Sequence, residues 1–342
     1  MSETFSPASQ VILRHKHDFI NRRVLFAGTI QDNLPIYFTA STVNVFSTMY
    51  SRYQLLVGKV SGVVEFNALP SAVLFDDIDT LVYYWPKTKR EAEFQLANLL
   101  SRLPPTAAIF IVGENRGGVR ACEKYLTSLG RIKKIDSARR CSLYHFQRET
   151  SITFNLDAWW QRYTLPDNSV ICALPGVFSA NHLDNGSQLL LSALTAEPAI
   201  VKGSILDVGC GAGVLSAVLA KIKPGLTLTL TDISAIALAS AQATLDANQL
   251  SGRIIASNVY SDITGLFDLI ISNPPFHSGI STDYVAAEAL IRGAKHHLRS
   301  GGHLCLVANA FLPYPHWLEK VFGHYQILVK TTKFAVYLAN KD

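Results

Sequence analysis

The most chemically specific residues in this chain are Asn273-Pro274-Pro275-Phe276, which follow a short apolar run, Phe267 to Ser272. An amine attached to an aromatic ring is a poor nucleophile, because its lone pair is delocalised into the ring. A site can localise that pair by accepting both N–H bonds, one on the Asn273 side-chain oxygen and one on the Pro274 carbonyl. The prolines preset that carbonyl, since each fixes its own φ and restricts the residue before it. Phe276 offers a face on which a nucleic-acid base stacks. Positioning alone then brings the amine to an electrophile, with no covalent intermediate. A C5-directed pyrimidine chemistry would want a cysteine nucleophile here, and none is present. Cys210 lies in a glycine loop and Cys305 inside an expected strand, positions that suit packing. His277 reads as a turn residue, with a proton acceptor or RNA contact as the alternative.

A second cluster, Leu206-Asp207-Val208-Gly209-Cys210-Gly211-Ala212-Gly213, ends an expected strand and opens a helix. Glycines there permit a tight turn and let the backbone approach a ligand without Cβ interference. The spacing is Gly-x-Gly-x-Gly, and Val214 stands where a dinucleotide fingerprint needs glycine or alanine. Asp207, just before the loop, suits a cationic ligand with an amino-acid moiety and poorly suits a pyrophosphate. Asp207, Gly209, Cys210, Gly211 and Gly213 are therefore expected to hold a cofactor. Asp232, 23 residues after Gly209, is placed with Ile233 to meet ribose hydroxyls, or else is a helix N-terminal acid. Asn258 and Val259, after the next strand, are placed to meet an adenine, or else form a turn. The loop resembles the first motif of class I methyltransferases, whose cofactor, S-adenosyl-L-methionine, carries a sulfonium and a methionine end.

These residues need a scaffold of strands with crossover helices. From residue 200 onward, short β-rich apolar runs alternate with helical stretches, which predicts a parallel sheet. Strands are expected at Ser204–Val208, Leu226–Thr231, Arg253–Ala256, Phe267–Ser272 and His303–Ala308. Helices are expected at Val214–Ile222, Ala235–Asn248 and Asp283–Arg299, the last stopped by Ser300-Gly301-Gly302. Tyr325–Lys330 and Lys333–Leu338 read as a closing antiparallel pair.

The first half repeats the order. Asp79–Lys87 lays over Asp268–Phe276, followed by a helical stretch, Arg90–Arg102, Pro104-Pro105 and a strand, Ala107–Val112. Val24–Gly28 stands where Ile205–Gly209 stands, but no Gly-x-Gly follows, and Tyr84-Trp85-Pro86 replaces Asn273-Pro274-Pro275. The fold class is thus α/β, a tandem of two Rossmann-like class I methyltransferase domains with a degenerate N-terminal copy. A generic likeness of βαβ segments is the alternative. The expected domains are 1–160 and 161–342, joined within Glu149 to Asp167.

Length and composition agree with two globular domains: 342 residues, 49% hydrophobic, net charge +5. Residues 1–150 hold 19 Lys/Arg against 13 Asp/Glu (+6), whereas residues 151–342 hold 12 against 13 (−1). The excess concentrates in Arg116, Arg120, Lys124, Arg131, Lys133, Lys134, Arg139 and Arg140. Such a cluster attracts phosphate backbones, or forms a solvated face. Met1 to Gln10 lacks the features of a signal peptide and no uninterrupted apolar stretch is long enough to span a membrane. Five scattered cysteines without Cys-x-x-Cys spacing fit a reducing cytoplasm with no disulfide framework or metal cluster.

Over nearly its whole length the sequence resembles the bacterial 16S rRNA guanine-N2 methyltransferases called small-subunit methyltransferase C. The resemblance is carried by Asp136-Ser-Ala-Arg-Arg-Cys141, Leu174-Pro-Gly-Val-Phe-Ser179, Leu183-Asp-Asn-Gly-Ser-Gln-Leu-Leu190 and Val208-Gly-Cys-Gly-Ala-Gly-Val-Leu215. Ser272-Asn-Pro-Pro-Phe-His277, Leu290-Ile-Arg-Gly-Ala294 and Val307-Ala-Asn-Ala-Phe-Leu-Pro-Tyr314 complete it. It implies a tandem fold in which only the C-terminal copy binds cofactor, and a target guanine numbered 1207 in 16S rRNA, within the 30S subunit or an assembly intermediate. It further implies that Pro175, Gly176 and Phe178, together with Asp184 to Ser187, cover the methionine end of the cofactor. The N-terminal copy would recognise RNA through Arg116, Arg120, Lys124, Lys133, Lys134, Arg139 and Arg140. A monomer without membrane attachment is expected. Competing expectations are the large-subunit guanine-N2 enzyme, adenine-N6 or protein glutamine-N5 methylation, and a non-enzymatic RNA-binding assembly factor.

Overall fold

In a computed structural model of the chain, residues 4–274 and 281–342 are described. Two compact units, Met1–Trp159 and Trp160–Asp342, each enclose their own seven-stranded sheet. Unit 1 contains β1 (Arg23–Gly28), β2 (Thr42–Ser47), β3 (Val64–Phe66), β4 (Thr80–Tyr84), β5 (Ala108–Glu114), β6 (Gly130–Ala138) and β7 (Cys141–Arg148). Its helices are α1 (Pro7–Arg14), α2 (Leu34–Tyr37), α3 (Tyr50–Leu56), α4 (Lys89–Arg102) and α5 (Ala121–Leu126). Unit 2 opens with the hairpin of β8 (Gln161–Thr164) and β9 (Val170–Ala173), then α6 (Asn185–Ala196). It continues with β10 (Ser204–Val208), α7 (Val214–Ile222), β11 (Thr227–Asp232), α8 (Ala235–Ala247), β12 (Gly252–Ala256) and β13 (Phe267–Ser272). Last come α9 (Ser281–His297), β14 (Leu298–Asn309), α10 (Tyr314–Phe322), β15 (Gln326–Lys330) and β16 (Phe334–Asn340).

The central strands read as unbroken apolar runs because both of their faces are covered. Along β4 every residue is buried, and along β13 all but Asp268. Side chains alternate between the faces, so Ile205, Leu269 and Ile271 pack with α6, α7 and α8, whereas Leu206 and Ile270 pack with α9 and α10.

The two sheets share one topology: β3-β2-β1-β4-β5-β7-β6 in unit 1 and β12-β11-β10-β13-β14-β16-β15 in unit 2. The match extends to register. Val24 pairs with Thr80 as Ile205 pairs with Leu269, so Asp79–Tyr84 lies over Asp268–Asn273; Pro275 and Phe276, the end of the expected overlay, lie outside the described residues. Even a strand-entry bond repeats, with Asp79 accepting from the Arg23 N–H at 3.3 Å and Asp268 from the Ser204 N–H at 2.7 Å. In this register Phe26 replaces Asp207, Gly28 replaces Gly209, and Tyr84 replaces Asn273.

Those replacements close the first copy. The chain after Gly28 bonds to β4, with the Thr29 N–H donating to the Tyr84 carbonyl at 2.9 Å. A Cβ built on Gly28 would lie 2.1 Å from that same carbonyl oxygen, whereas one on Gly209 meets nothing within 4 Å. Helix α1 then seals the first copy. Ser9 bonds the Tyr84 hydroxyl at 2.8 Å and Asp32 at 3.0 Å, and Asp32 also accepts from the Ser6 N–H at 2.6 Å.

Two parts of unit 2 depart from the sequence reading. The helix expected over Asp283–Arg299 ends at His297, and β14 begins five residues before His303. Leu298 pairs with Phe267 and is fully buried, so tertiary packing claims it for the sheet. Gly301 is left-handed (φ 72°) but stands inside the strand, and does not cap the helix. The polar stretch read as a join contains β8, whose Tyr163 packs on the core of unit 2.

Gly28→Ala should destabilise the protein by about 3 kcal/mol in thermal or urea unfolding, from overpacking plus left-handed strain. Gly209→Ala, which meets no neighbour, should cost only about 1 kcal/mol of strain.

Candidate functional site

Asp207 and the glycine loop, Asp232, Asn258 and Asn273 collect at the carboxyl ends of β10, β11, β12 and β13. There the strand order reverses on either side of β10, the position where open α/β sheets leave a crevice. Gly209 (φ 71°) turns the chain out of β10, and the N–H groups of Gly209 and Cys210 both donate to the Thr231 carbonyl, at 2.8 and 3.0 Å. The loop is thereby stitched to β11 and stays clear of β13. Gly213 serves packing, since a Cβ there would meet Ala241 of α8 at 3.3 Å. Cys210 is buried in the core; burial, reinforced by the Asp232 and Asp207 charges, pushes its thiol well above the ordinary range and leaves it unreactive.

Asp207 is 1% exposed. One carboxylate oxygen accepts from the Ser216 hydroxyl at 2.7 Å; the other is buried with no hydrogen-bond partner among the described residues. Burial pushes its carboxyl up to about 7, the Ser216 bond opposes the rise and the Asp232 charge adds to it. Asp232 accepts from the Gly211 N–H at 3.0 Å through one oxygen and from the Ser234 N–H at 2.9 Å through the other. At the end of β11, two residues before the Ser234 N-cap of α8, it braces the glycine loop. Ile233 beside it is half-buried.

Asn258 is exposed, and Val259 holds φ 57°, a costly conformation for a β-branched residue. It is fixed by the Ser257 hydroxyl donating to the Val259 carbonyl at 3.0 Å and the Asn258 N–H donating to Ser261 at 3.0 Å.

Asn273 leaves β13 with its amide nitrogen donating to Asp184 at 3.1 Å and to the Ser187 hydroxyl at 2.8 Å. Its carbonyl oxygen, Oδ1, is buried and has no partner among the described residues. Pro274 follows, also buried; Pro275, Phe276 and His277 lie outside the described residues.

The turn 174–179 lies against the glycine loop, with Val177 Cγ1 4.0 Å from a Cβ built on Gly211. Pro175 is buried, Gly176 is left-handed (φ 101°) and Phe178 is 65% exposed. The turn is held from behind by a ladder in which helix α8 and its C-cap Asn248 bond the edge of β9 that β8 leaves open. Asn248, Thr244 and Ser240, four residues apart on one helix face, accept from the N–H groups of Val170, Cys172 and Leu174, each at 3.0 Å.

These groups fit an amino-acid-bearing cation: an unpaired buried carboxylate oxygen beside a glycine turn with open space in front of it. Among the described residues no His/Cys/Asp/Glu group could hold a metal ion, and no helix is long and apolar enough to cross a membrane.

Known proteins agree with this geometry. A family model described as Methyltransferase small domain matches residues 168–338, and one described as Methyltransferase small domain N-terminal matches residues 9–163. A ribosomal RNA small subunit methyltransferase C from Erwinia tasmaniensis is 52% identical over 338 residues, covering 99% of this chain and 98% of that protein. Its namesake from Pectobacterium atrosepticum is 53% identical over 334 residues, covering 98% and 95%. The chain belongs to this methyltransferase family. Among solved structures, it is similar to a T. thermophilus 16S rRNA N2 G1207 methyltransferase in complex with AdoMet and guanosine. That likeness has a TM-score of 0.78 at 26% identity, over 94% of this chain and 88% of that one.

Within the family frame, several contacts of the site carried no sequence signal of their own. Ser216 bonding Asp207, and Asp184 and Ser187 bonding Asn273, join residues distant in the chain. The α8 ladder was legible in principle, as Ser240, Thr244 and Asn248 put polar groups at helical spacing in an alanine-rich helix.

A cation seated beside Asp207 favours its carboxylate, whereas the free protein holds that proton below about pH 7. Affinity for AdoMet, used as the probe, should therefore fall as pH drops below 7, by up to about tenfold per unit, with proton release on binding. Calorimetry in buffers of different ionisation enthalpy reads both effects. Asp207→Asn should bind weakly and without this slope.

Proposed function

We propose that this chain transfers a methyl group from S-adenosylmethionine to the exocyclic N2 amine of guanine 1207 in 16S rRNA, within the small subunit or an assembly intermediate. The observation that carries the reading is Asn273, whose carbonyl oxygen is buried, without a partner among the described residues, and fixed at the carboxyl end of β13. S-Adenosylmethionine, when bound, supplies an electrophilic methyl group on its sulfonium. Asp207, Gly209, Cys210, Gly211, Gly213, Asp232, Ile233, Asn258 and Val259 would hold it, with Pro175, Gly176 and Phe178 over its methionine end. Asn273 Oδ1 and the Pro274 carbonyl accept the two N–H bonds of the guanine amine, which localises its lone pair for attack on the methyl carbon. On accepting that methyl group the amine nitrogen would shed one proton to solvent. Pro275 and Phe276 complete the base-holding tetrapeptide.

Unit 1 supplies RNA contacts through Arg116, Arg120, Lys124, Lys133, Lys134, Arg139 and Arg140. All seven are exposed, and none makes an ion pair among the described residues. Arg139 (φ 51°) and Arg140 (φ 63°) form the two-residue turn between β6 and β7, where both positions are left-handed and Asn-Gly is favoured. Each arginine there costs roughly 1–2 kcal/mol. The Asn115 N–H donates to the Arg140 carbonyl at 2.8 Å, which ties this tip to the segment bearing Arg116. Retaining two strained arginines at one tip supports a role for their charge. The protein acts as a cytoplasmic monomer in this reading.

Tritiated S-adenosylmethionine offered with unmethylated 30S subunits, 50S subunits, naked 16S RNA and tRNA should yield N2-methylguanosine in small-subunit material alone. Label in 50S material would reassign the substrate, and no label despite bound cofactor would sink the enzymatic reading. Asn273→Ala should lower transfer at least about 100-fold while leaving cofactor affinity nearly intact.

Replacing Arg139 and Arg140 with Asn and Gly should raise stability by about 2 kcal/mol. The same change should weaken RNA binding and lower its logarithmic salt slope by between about one and two.

A further inference from the structure

We infer that Asp184 and Ser187 are positioning residues that fix which end of the Asn273 amide faces the substrate amine. An asparagine amide has two nearly isosteric orientations. One presents a carbonyl that accepts the amine's N–H; the other presents N–H donors that oppose it. Nothing in the tetrapeptide itself chooses between them.

The choice comes from α6. Asp184 is its N-cap, with Oδ1 accepting from the Gly186 and Ser187 N–H groups at 2.9 and 3.0 Å. The same oxygen accepts from Asn273 Nδ2 at 3.1 Å, and Ser187 Oγ takes Nδ2 at 2.8 Å. A carboxylate only accepts, so the amide nitrogen must turn toward it. Both amide hydrogens are then used, and Oδ1 is left as the buried acceptor. Flipping the amide would break the bond to Asp184 and set two acceptors face to face there, whereas the Ser187 hydroxyl could turn to donate, so Asp184 decides the direction and Ser187 holds the second amide hydrogen. Gly186 keeps the bracket tight, since a Cβ there would stand 3.0 Å from Asp184 Oδ1 and 3.3 Å from Asn273 Oδ1. Asp184 to Ser187 therefore act on the nucleophile's acceptor, a role distinct from covering the cofactor's methionine end. The inference rests on the reading that Asn273 accepts the amine.

Single-turnover methyl transfer to unmethylated 30S subunits at saturating S-adenosylmethionine tests it, alongside calorimetric affinity for the cofactor. Ser187→Ala leaves the N-cap intact and should lower the rate about 10-fold, and Asp184→Ala about 100-fold, the size expected for a misplaced reacting group. Asp184→Asn should retain all but about threefold of the rate, because the two backbone N–H groups hold its carbonyl oxygen where it still accepts from Asn273. Cofactor affinity should change less than about threefold in all three.

Unchanged rates in Ser187→Ala and Asp184→Ala would overturn the inference. So would a loss in Asp184→Asn equal to that in Asp184→Ala, or a parallel loss of cofactor affinity. Should Asp184→Ala not fold, Ser187→Ala against Asp184→Asn decides. Failure of the functional reading appears in the wild-type arm alone, and failure of the bracket in the ratio of variants to wild type.

Discussion

A buried hydrogen-bonding atom without a partner costs about 1–3 kcal/mol, and among the described residues two such oxygens belong to the acid and the amide of the site. They are Asp207 Oδ1 and Asn273 Oδ1, at the ends of adjacent strands β10 and β13. Neither can relax onto a neighbour, because the other oxygen of Asp207 is held by Ser216 and the nitrogen of Asn273 by Asp184 and Ser187. The surrounding fold supplies the stability that keeps both acceptors waiting, and a cation and an amine are the groups that would relieve them.

The duplicated unit shows the same frame with that constraint removed. Phe26 stands in register for Asp207 and buries no charge, while the Tyr84 hydroxyl, near the place of Asn273, is satisfied by Ser9. The loop after Gly28 bonds to β4, whereas the loop at Gly209 bonds to β11. The bond of the loop, the replaced acid and amide, and the cover of α1 together separate the closed first copy from the second. Freed of the crevice, the first copy carries its basic excess on exposed positions of β6, α5 and the strained turn at Arg139-Arg140.

Precision in the second copy depends on elements that flank the sheet. The α8 ladder pins β9, β9 leads into the turn against Gly211, and α6 begins soon after with the bracket on Asn273. Backbone groups of β9 that face no neighbouring strand on that side are met by Ser240, Thr244 and Asn248, which is why an otherwise alanine-rich helix buries a polar stripe.

The sequence by itself determined the strands that carry the site, their counterparts β1, β4 and β5, the duplication and its register, and the residue types of both chemical motifs. These follow from apolar periodicity, glycine and proline chemistry and short spacings, all local along the chain. Tertiary structure decided where α9 ends, because burial of Leu298 against β13 outweighs the glycine signal at Gly301. It also placed β8, within a stretch whose polarity suggested a linker, in a two-stranded sheet with β9. Above all it decided the state of the chemical groups. The raised Asp207 carboxyl, the unpaired oxygens and the direction of the Asn273 amide arise from burial and from partners up to 89 residues away. Desolvation and long-range hydrogen bonds exist only once the chain is packed, so spacing alone could name these residues but not set their charge or orientation.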